Sequence, residues 1–141
     1  MNKRRIIFLI SAVLLGSVIF TRLAAAKRRA QSIGCASQIA SICFAGRVYA
    51  TDHNGQFPTN FICMSNELVT PKVLVCNADS AHTRATDFKH YTDANCSYVI
   101  VTPGVHEDAT NTVFLRCSIH GHLGYPDGTL FDGIKRRGKF A

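Results

Sequence analysis

Residues 27–58, KRRAQSIGCASQIASICFAGRVYATDHNGQFP, are the most informative stretch of the chain. Apolar side chains recur there at the three- and four-residue spacing of an α-helix. They are Ile33, Ala36, Ala40, Cys43 and Phe44, widened by Ile39, Ile42, Val48 and Tyr49. The helix signal stops where Asp52, Asn54 and Gly55 favour a turn and Pro58 prevents continuation. We therefore expect an amphipathic helix with one broad buried face.

The segment before this helix is strongly apolar. Three basic residues at 3–5 precede a 15-residue apolar run from Ile6 to Phe20, which spans about 23 Å as a helix. Continuing to Ala26 gives about 31 Å, close to the hydrocarbon thickness of a bilayer, with Arg22 able to reach the interface. This pattern predicts a single-pass membrane anchor, with membrane lipid as a partner. Basic residues flank both ends of the segment, so the charges give no orientation. The cysteine content favours a head domain on the outer, periplasmic side of the inner (cytoplasmic) membrane. The same residues also fit a signal peptide cleaved after Ala26.

The residues after 58 indicate short strands. Strand-like runs occur at 72–76, 96–101 and 112–117, and a final hairpin pairs 121–125 with 129–131 around a Pro-Asp-Gly turn. A long helix followed by three or four antiparallel strands is an α+β order. The predicted regions are an anchor or leader at 1–26, the amphipathic helix and its exit at 27–58, a β-rich head domain at 59–134 and a basic tail at 135–141.

The charge of the chain is concentrated at its two ends. The net charge is +7, yet between residues 30 and 134 five basic side chains stand against nine acidic ones. Basic residues beside the apolar N-terminal segment favour contact with lipid headgroups over nucleic acid. The basic tail is most simply solvated, with headgroup contact as the alternative. We expect no nucleic-acid binding, because the middle of the chain has no basic stripe with interleaved aromatic residues.

Six cysteines suggest an oxidising compartment. Cys35 and Cys43 are eight positions apart on the predicted helix, about 12 Å, which is too far for a disulfide. We interpret both as small buried thiols. The disulfide candidates are therefore Cys63, Cys76, Cys96 and Cys117.

Two patterns suggest metal ions, although no cofactor is the first expectation. Cys117, His120 and His122, with Cys76 or Cys96 as a fourth ligand, offer the donors that zinc prefers. Against zinc, the chain has no Cys-x-x-Cys pair, and His-x-His in a strand directs the two rings to opposite faces. Residues 52–56 resemble the opening of a calcium loop but lack its final glutamate. No nucleophile elbow or oxyanion motif is present, so we predict a non-enzymatic protein with no catalytic residues.

Several blocks resemble a known family. Residues 26–39 (AKRRAQSIGCASQI) and 49–58 (YATDHNGQFP) are similar to the helix and helix exit of type IV pilin-like proteins and type II secretion pseudopilins, in particular the prepilin-type proteins of planctomycete and verrucomicrobial bacteria. Agreeing blocks follow at 75–79 (VCNAD), 95–98 (NCSY), 116–122 (RCSIHGH) and 127–130 (DGTL). The usual prepilin cleavage motif, a glycine followed by Phe-Thr-Leu-Ile-Glu, is absent.

The resemblance implies a pilin-like fold, with the N-terminal helix packed on a small antiparallel sheet. It also implies a structural, non-enzymatic subunit of a type II secretion or type IV pilus-type assembly, which contacts other pilin-like subunits through helix packing. The alternative is an exported soluble domain that loses its leader after Ala26 and binds a metal or ligand through its Cys and His residues. N-terminal sequencing distinguishes the two.

Overall fold

The computed structural model describes residues 3–133 and 136–137, with side chains from Val13 to Gly133. It begins with one helix, α1, over Lys3–Asp52. The chain divides into two compact units, one up to Gln31 and one from Ser32 onward. The second unit contains the last 21 residues of α1 and all the strands.

The end of α1 follows the turn chemistry that the sequence predicts. The N–H groups of His53 and Gly55 donate to the carbonyl of Ala50 at 3.0 and 2.9 Å. Asn54 and Gly55 have φ angles of 53° and 77°, in the left-handed region that asparagine and glycine tolerate best. The chain thereby leaves the helix and pairs Gln56 with His106 in an isolated bridge.

The remaining elements are short. A helix, α2, covers Ser65–Leu68, and 3₁₀ helices cover Pro71–Leu74 and Asp93–Asn95. The strands are β1 (Tyr98–Ile100), β2 (Leu115–Cys117), β3 (Leu123–Gly124), β4 (Leu130–Phe131) and β5 (Arg136–Arg137). They form one antiparallel sheet in sequence order, four strands with the two-residue β5 at one edge. The predicted α+β class, a long N-terminal helix on a small antiparallel sheet, is confirmed.

Helix α1 approaches the sheet very closely at Gly124. A Cβ atom at that position would lie 2.5 Å from Cys43 Sγ and 2.7 Å from Ile39 Cγ2. Glycine is required here by space, because real Cβ atoms do not come that close to other heavy atoms. Behind this contact, the rings of Phe57 and Phe114 meet edge to face with centroids 4.8 Å apart and fill the core.

The buried face of α1 differs from the predicted one. Ile33 and Phe44 were expected inside, but they are 57% and 68% exposed, and Val48 is exposed as well. The buried residues are Cys35, Ala36, Ile39, Ile42, Cys43, Ala45, Gly46 and Ala50. The buried face is rotated relative to the predicted one, because α1 packs on the aromatic core through its small residues. The large side chains of Ile33 and Phe44 dominated the apolar pattern, so the sequence indicated the wrong face.

One predicted strand is wrong. Residues 72–76 were expected to be extended, but Pro71–Leu74 forms a 3₁₀ helix. Pro71 has the fixed φ that suits a helical first turn, and the Thr70 hydroxyl accepts the N–H of Lys72 at 3.4 Å. Val75, the next residue, has extended backbone angles, with φ at −111° and ψ at 121°.

The predicted membrane anchor is also wrong. Within the described residues, no helix has the length and apolarity that crossing a bilayer requires. The side chains of residues 6–12 of the predicted segment lie outside the described set. From Val13 the apolar run lasts only to Phe20, about 12 Å of helix, before basic residues begin at Arg22. The finding conflicts with the predicted single-pass localisation in the inner membrane, and the predicted basic tail lies outside the described residues apart from the backbone of 136–137.

Candidate metal site

Four side chains converge in the second unit to form what we call the Cys–His cluster: Cys35, Cys76, Cys117 and His120. Their potential ligand atoms all lie within 4.8 Å of one another. Cys76 Sγ and His120 Nδ1 are 3.3 Å apart. The three cysteines are buried and the histidine is partly exposed. Three sulfurs and one imidazole nitrogen are a common donor set for a structural zinc ion.

The four potential ligands come from three parts of the fold. Cys35 lies on the buried face of α1, and Cys76 follows the 3₁₀ helix Pro71–Leu74. Cys117 ends β2, where it pairs in register with Tyr98 of β1. His120 lies in the turn after β2, which is closed by the N–H of Gly121 donating to the carbonyl of Cys117 at 3.0 Å. The cluster thus joins the helix, the segment before β1 and the β2–β3 turn.

Backbone amides surround the Cys117 sulfur. The N–H groups of Ile119 and His120 each donate to Cys117 Sγ at 3.4 Å. Such hydrogen bonds favour the thiolate over the thiol, because they stabilise its negative charge. The turn after β2 therefore stabilises a thiolate at Cys117 and places the imidazole of His120 in the same turn.

The other two sulfurs also have donors. The backbone N–H of Ala78 donates to the Cys76 thiolate and lowers its pKa, although burial has the larger effect and raises the pKa overall. The Tyr98 hydroxyl lies 3.7 Å from Cys35 Sγ and donates to Gln38 Oε1 at 3.1 Å. Every sulfur of the cluster thus has a polar donor beside it, an arrangement that tunes metal-bound thiolates.

The protonation states of the three sulfurs are strongly unequal when no cation is bound. A hydrogen bond from the Cys35 thiol lowers the pKa of Cys117 to about 5, with help from the backbone amides of His120 and Ile119. The same hydrogen bond, together with burial, raises the pKa of Cys35 above its usual range. Cys117 is therefore a thiolate at neutral pH, and a bound cation would displace the protons of Cys35 and Cys76.

The predicted disulfides are wrong. All six cysteines lie within the described residues, all are free, and none is at disulfide distance from another. Cys63 is exposed, with Sγ 3.9 Å from Thr59 Oγ1, and Cys96 contacts the carbonyl of Tyr98 at 3.2 Å. Cys76 and Cys117 are close enough to share a cluster, but a disulfide needs sulfur atoms at about 2.05 Å. The four candidate cysteines are therefore thiols in this structure.

Of the three predicted zinc ligands, Cys117 and His120 lie in the cluster and His122 lies beside it. The His122 ring stacks on the His120 ring, with centroids 5.2 Å apart and planes inclined by 18°. His122 is buried, and its Nε2 lies 3.3 Å from Ser32 Oγ. The two rings do not point to opposite faces, because residues 118–121 form a turn with a positive φ at Gly121 rather than a strand.

Cys35 is the cluster residue that the sequence interpretation missed. Cys35 was assigned as a plain buried thiol, whereas Cys76, one of two alternatives for the fourth position, lies in the cluster and Cys96 does not. A signal for Cys35 was available, since it shares a helical face with Ile39 and Ile42 at spacings of four and seven. Cys43, the other helix cysteine, is buried away from the cluster, and burial raises its pKa to about 12.

The calcium-like segment at 52–56 is the exit turn of α1 described above. His53 Nδ1 lies 2.7 Å from the carbonyl of Tyr49, and its ring stacks on the Tyr49 ring at 3.7 Å. The segment therefore acts as a helix stop.

Searches of protein-family models, of curated proteins and of solved structures found no match to this chain. The resemblance to pseudopilins accordingly stays a prediction.

Proposed function

We propose that the region from Ser32 onward is a non-enzymatic zinc-binding domain in which the Cys–His cluster holds one structural Zn²⁺. The observation that carries this proposal is the convergence of four potential ligand atoms within 4.8 Å, from three separate segments of the chain. In a tetrahedral site with Zn–S bonds of about 2.3 Å, neighbouring ligand atoms are about 3.8 Å apart. Small side-chain adjustments would bring the cluster to that geometry.

The donor types favour zinc over other ions. Three thiolates and an imidazole exclude magnesium and calcium, which prefer oxygen ligands. Iron–sulfur clusters usually require four cysteines. Mutual distances under 4.8 Å leave room for a single ion. A closed set of four protein ligands is typical of structural zinc, since catalytic sites keep one position for water or substrate.

Burial favours a metal site over a nucleophile. Cys117 has the thiolate and nearby imidazole of a reactive cysteine, but its exposure is 1%, and those of Cys35 and Cys76 are both 0%. A substrate of ordinary size therefore does not reach the sulfur atoms. A bare metal ion needs far less space, and the ligand His120 at the edge of the cluster is partly exposed.

The expected role of the ion is to hold the domain together. Small domains often depend on a metal ion where the hydrophobic core is limited, and structural zinc contributes about 10–16 kcal/mol in zinc-finger peptides. All four ligands follow Ala26, so removal of a leader at that point would leave the site complete.

The proposal is tested by metal analysis of the purified full-length chain. We expect one zinc per chain and, after exchange with Co²⁺, the intense visible absorption of a tetrahedral thiolate complex. Cys35→Ser should abolish both signals, and Cys63→Ser, which changes an exposed thiol outside the cluster, should leave both intact. A folded protein that binds no zinc with its thiols reduced would contradict the proposal.

A second candidate function is a helix-packing subunit of a pseudopilin type, in a type II secretion or type IV pilus-type assembly. A set of large apolar side chains on α1, each at least 57% exposed, favours it: Val13, Leu14, Leu15, Val18, Ile19, Phe20 and Leu23. Exposed apolar patches of this kind usually mark an interaction surface. We propose the helices of other pilin-like subunits as the partner.

Crosslinking in the producing cell tests this second function. We expect recovery of other pilin-like subunits with the wild-type chain and loss of the products with Leu23→Glu. Cys63→Ser should crosslink like wild type. A chain that stays monomeric at all concentrations and captures no pilin-like protein would rule out helix packing as its function.

A further inference from the structure

A second layer of hydrogen bonds lies behind the cluster ligand Cys76. The backbone N–H of Cys76 donates to Ser97 Oγ at 2.9 Å, and the Ser97 hydroxyl donates to Asp79 Oδ2 at 2.6 Å. Both partners are inaccessible, with 2% of Ser97 and 1% of the Asp79 side chain exposed. A buried carboxylate thus connects through one hydroxyl to the backbone of a cluster residue.

The main chain of Ser97 connects two ligand-bearing segments. Its N–H donates to the carbonyl of Leu74, two residues before Cys76, at 2.9 Å. Its carbonyl accepts the N–H of Ser118, the residue after Cys117, at 3.1 Å. Ser97 therefore lies between the segments that present Cys76 and Cys117, and its side chain is held by Asp79.

Asp79 is fixed by its own loop. Its Oδ1 accepts the backbone N–H groups of Ala81 at 2.8 Å and His82 at 3.2 Å, and its Oδ2 lies 2.7 Å from His82 Nδ1. Burial alone would raise the pKa of Asp79, but hydrogen bonds from Ser97, Ala81 and His82 outweigh it and hold the pKa below its usual range. The carboxylate is therefore charged at neutral pH and rigidly placed.

We propose that Asp79 is a positioning residue for the metal site, acting through the Ser97 hydroxyl to orient Cys76. The inference rests on the proposed zinc site. Partners outside the ligand shell orient the ligands of a metal ion, and their loss typically costs 10–100-fold in metal affinity. Asp79 does not touch the ion in this arrangement, because its oxygen atoms are occupied by Ser97 and by the loop of residues 79–82.

The chain contains a natural control for the local turn. Asp87 and His90 repeat the Asp-x-x-His pattern, with Asp87 Oδ1 accepting the His90 N–H at 3.0 Å and lying 2.8 Å from His90 Nδ1. The Asp87 side chain is 48% exposed, against 1% for Asp79. Asp87 lies in a separate surface turn, eight residues further along the chain. A role limited to turn formation would make the two aspartates equivalent.

Zinc affinity of the full-length chain tests the proposal, measured by competition with a chromophoric chelator. We expect Asp79→Asn and Ser97→Ala each to lower the affinity about 10–100-fold, and Asp87→Asn to leave it unchanged. The Co²⁺ spectrum should shift in the first two variants, since the geometry around one sulfur changes. If Asp79→Asn fails to fold, Ser97→Ala alone makes the comparison with Asp87→Asn.

A double-mutant cycle tests whether the two residues act as one unit. If Asp79 acts through Ser97, the double variant should lose little more affinity than either single variant, whereas independent effects would multiply. Wild-type affinity in both single variants, or multiplicative losses in the double variant, would overturn the relay. Absence of zinc from the wild-type chain would instead refute the proposed function itself, so the two failures are distinguishable.

Discussion

Lowering the free zinc concentration should destabilise the folded chain by an amount that follows from the site. Cys35 and Cys76 are 41 positions apart, and Cys76 and Cys117 are also 41 apart. Closing each such loop in an unfolded chain costs about 3 kcal/mol of entropy. The unfolded chain therefore binds zinc much more weakly through these four side chains than the folded chain does. An ion that binds one site in the folded state alone changes the free energy of unfolding by about 1.4 kcal/mol per tenfold change in free ion.

Over three decades of free zinc, the expected loss is about 4 kcal/mol, a large share of the 5–15 kcal/mol that stabilises a typical domain. The assay is urea unfolding followed by circular dichroism in chelator-buffered zinc. The wild type and Cys63→Ser should show the full dependence on zinc, and Cys35→Ser should show none. A wild-type midpoint that does not move with zinc, or an equal dependence in Cys35→Ser, would show that zinc at this site does not stabilise the fold. A magnesium series should have no effect.

Three further predictions concern the packing and the thiols. In metal-free protein, ultraviolet absorbance should detect one thiolate with a pKa of about 5 that disappears in Cys117→Ser. Because that pKa is lowered on folding, its contribution to stability is full above the thiol's usual pKa and is lost as the pH falls to about 5; constant stability over this range would contradict it. Gly124→Ala should cost about 1–3 kcal/mol in denaturant unfolding, since the added Cβ meets Cys43, and a neutral result would show that α1 does not pack so closely on β3. Phe114→Ala should lower the free energy of unfolding by about 3–5 kcal/mol and Phe44→Ala should barely change it, because the Phe114 ring is fully buried and the Phe44 ring is mostly exposed. Similar losses in both variants would show that Phe44 is buried, as the sequence pattern predicts.

The helix and the fold class follow from local rules that the sequence displays directly. The three- and four-residue apolar spacing specifies α1, and the Asn54-Gly55 turn with the following Pro58 specifies its end. The strand β2 and the turn at Gly128 can likewise be predicted from the residues near them in sequence. The segment at 72–76 misled the interpretation because a run of apolar residues fits a strand, whereas Pro71 and the Thr70 cap set the backbone of a 3₁₀ helix.

The cluster could be predicted only in part. The Cys117-x-x-His120 spacing indicates a pair of donors on one turn, and Cys76 is one of two cysteines that could join it. Cys35 depends on which face of α1 is buried. That choice is made by tertiary packing at small residues, notably Gly46 beside the Phe57 ring and Gly124 beside Cys43. Small residues give no hydrophobic signal, so the exposed Phe44 dominated the pattern instead.

The hydrogen bonds behind the ligands lie beyond a motif search. Asp79 and Ser97 are 18 positions apart, and only the folded chain shows that they meet at 2.6 Å behind Cys76. The Asp-x-x-His pattern does not distinguish Asp79 from Asp87. The difference lies in burial and in the presence of a serine hydroxyl.

X-ray absorption at the zinc edge reports the identity and distance of the atoms that bind the ion in the purified chain. We predict three sulfur atoms at about 2.3 Å and one nitrogen at about 2.0–2.1 Å. In Cys35→Ser, any zinc still bound should have at most two sulfur ligands. A reduced, folded wild-type chain that retains no zinc, or a zinc ion bound mainly by oxygen and nitrogen, would contradict the assignment of Cys35, Cys76, Cys117 and His120 as a structural zinc site.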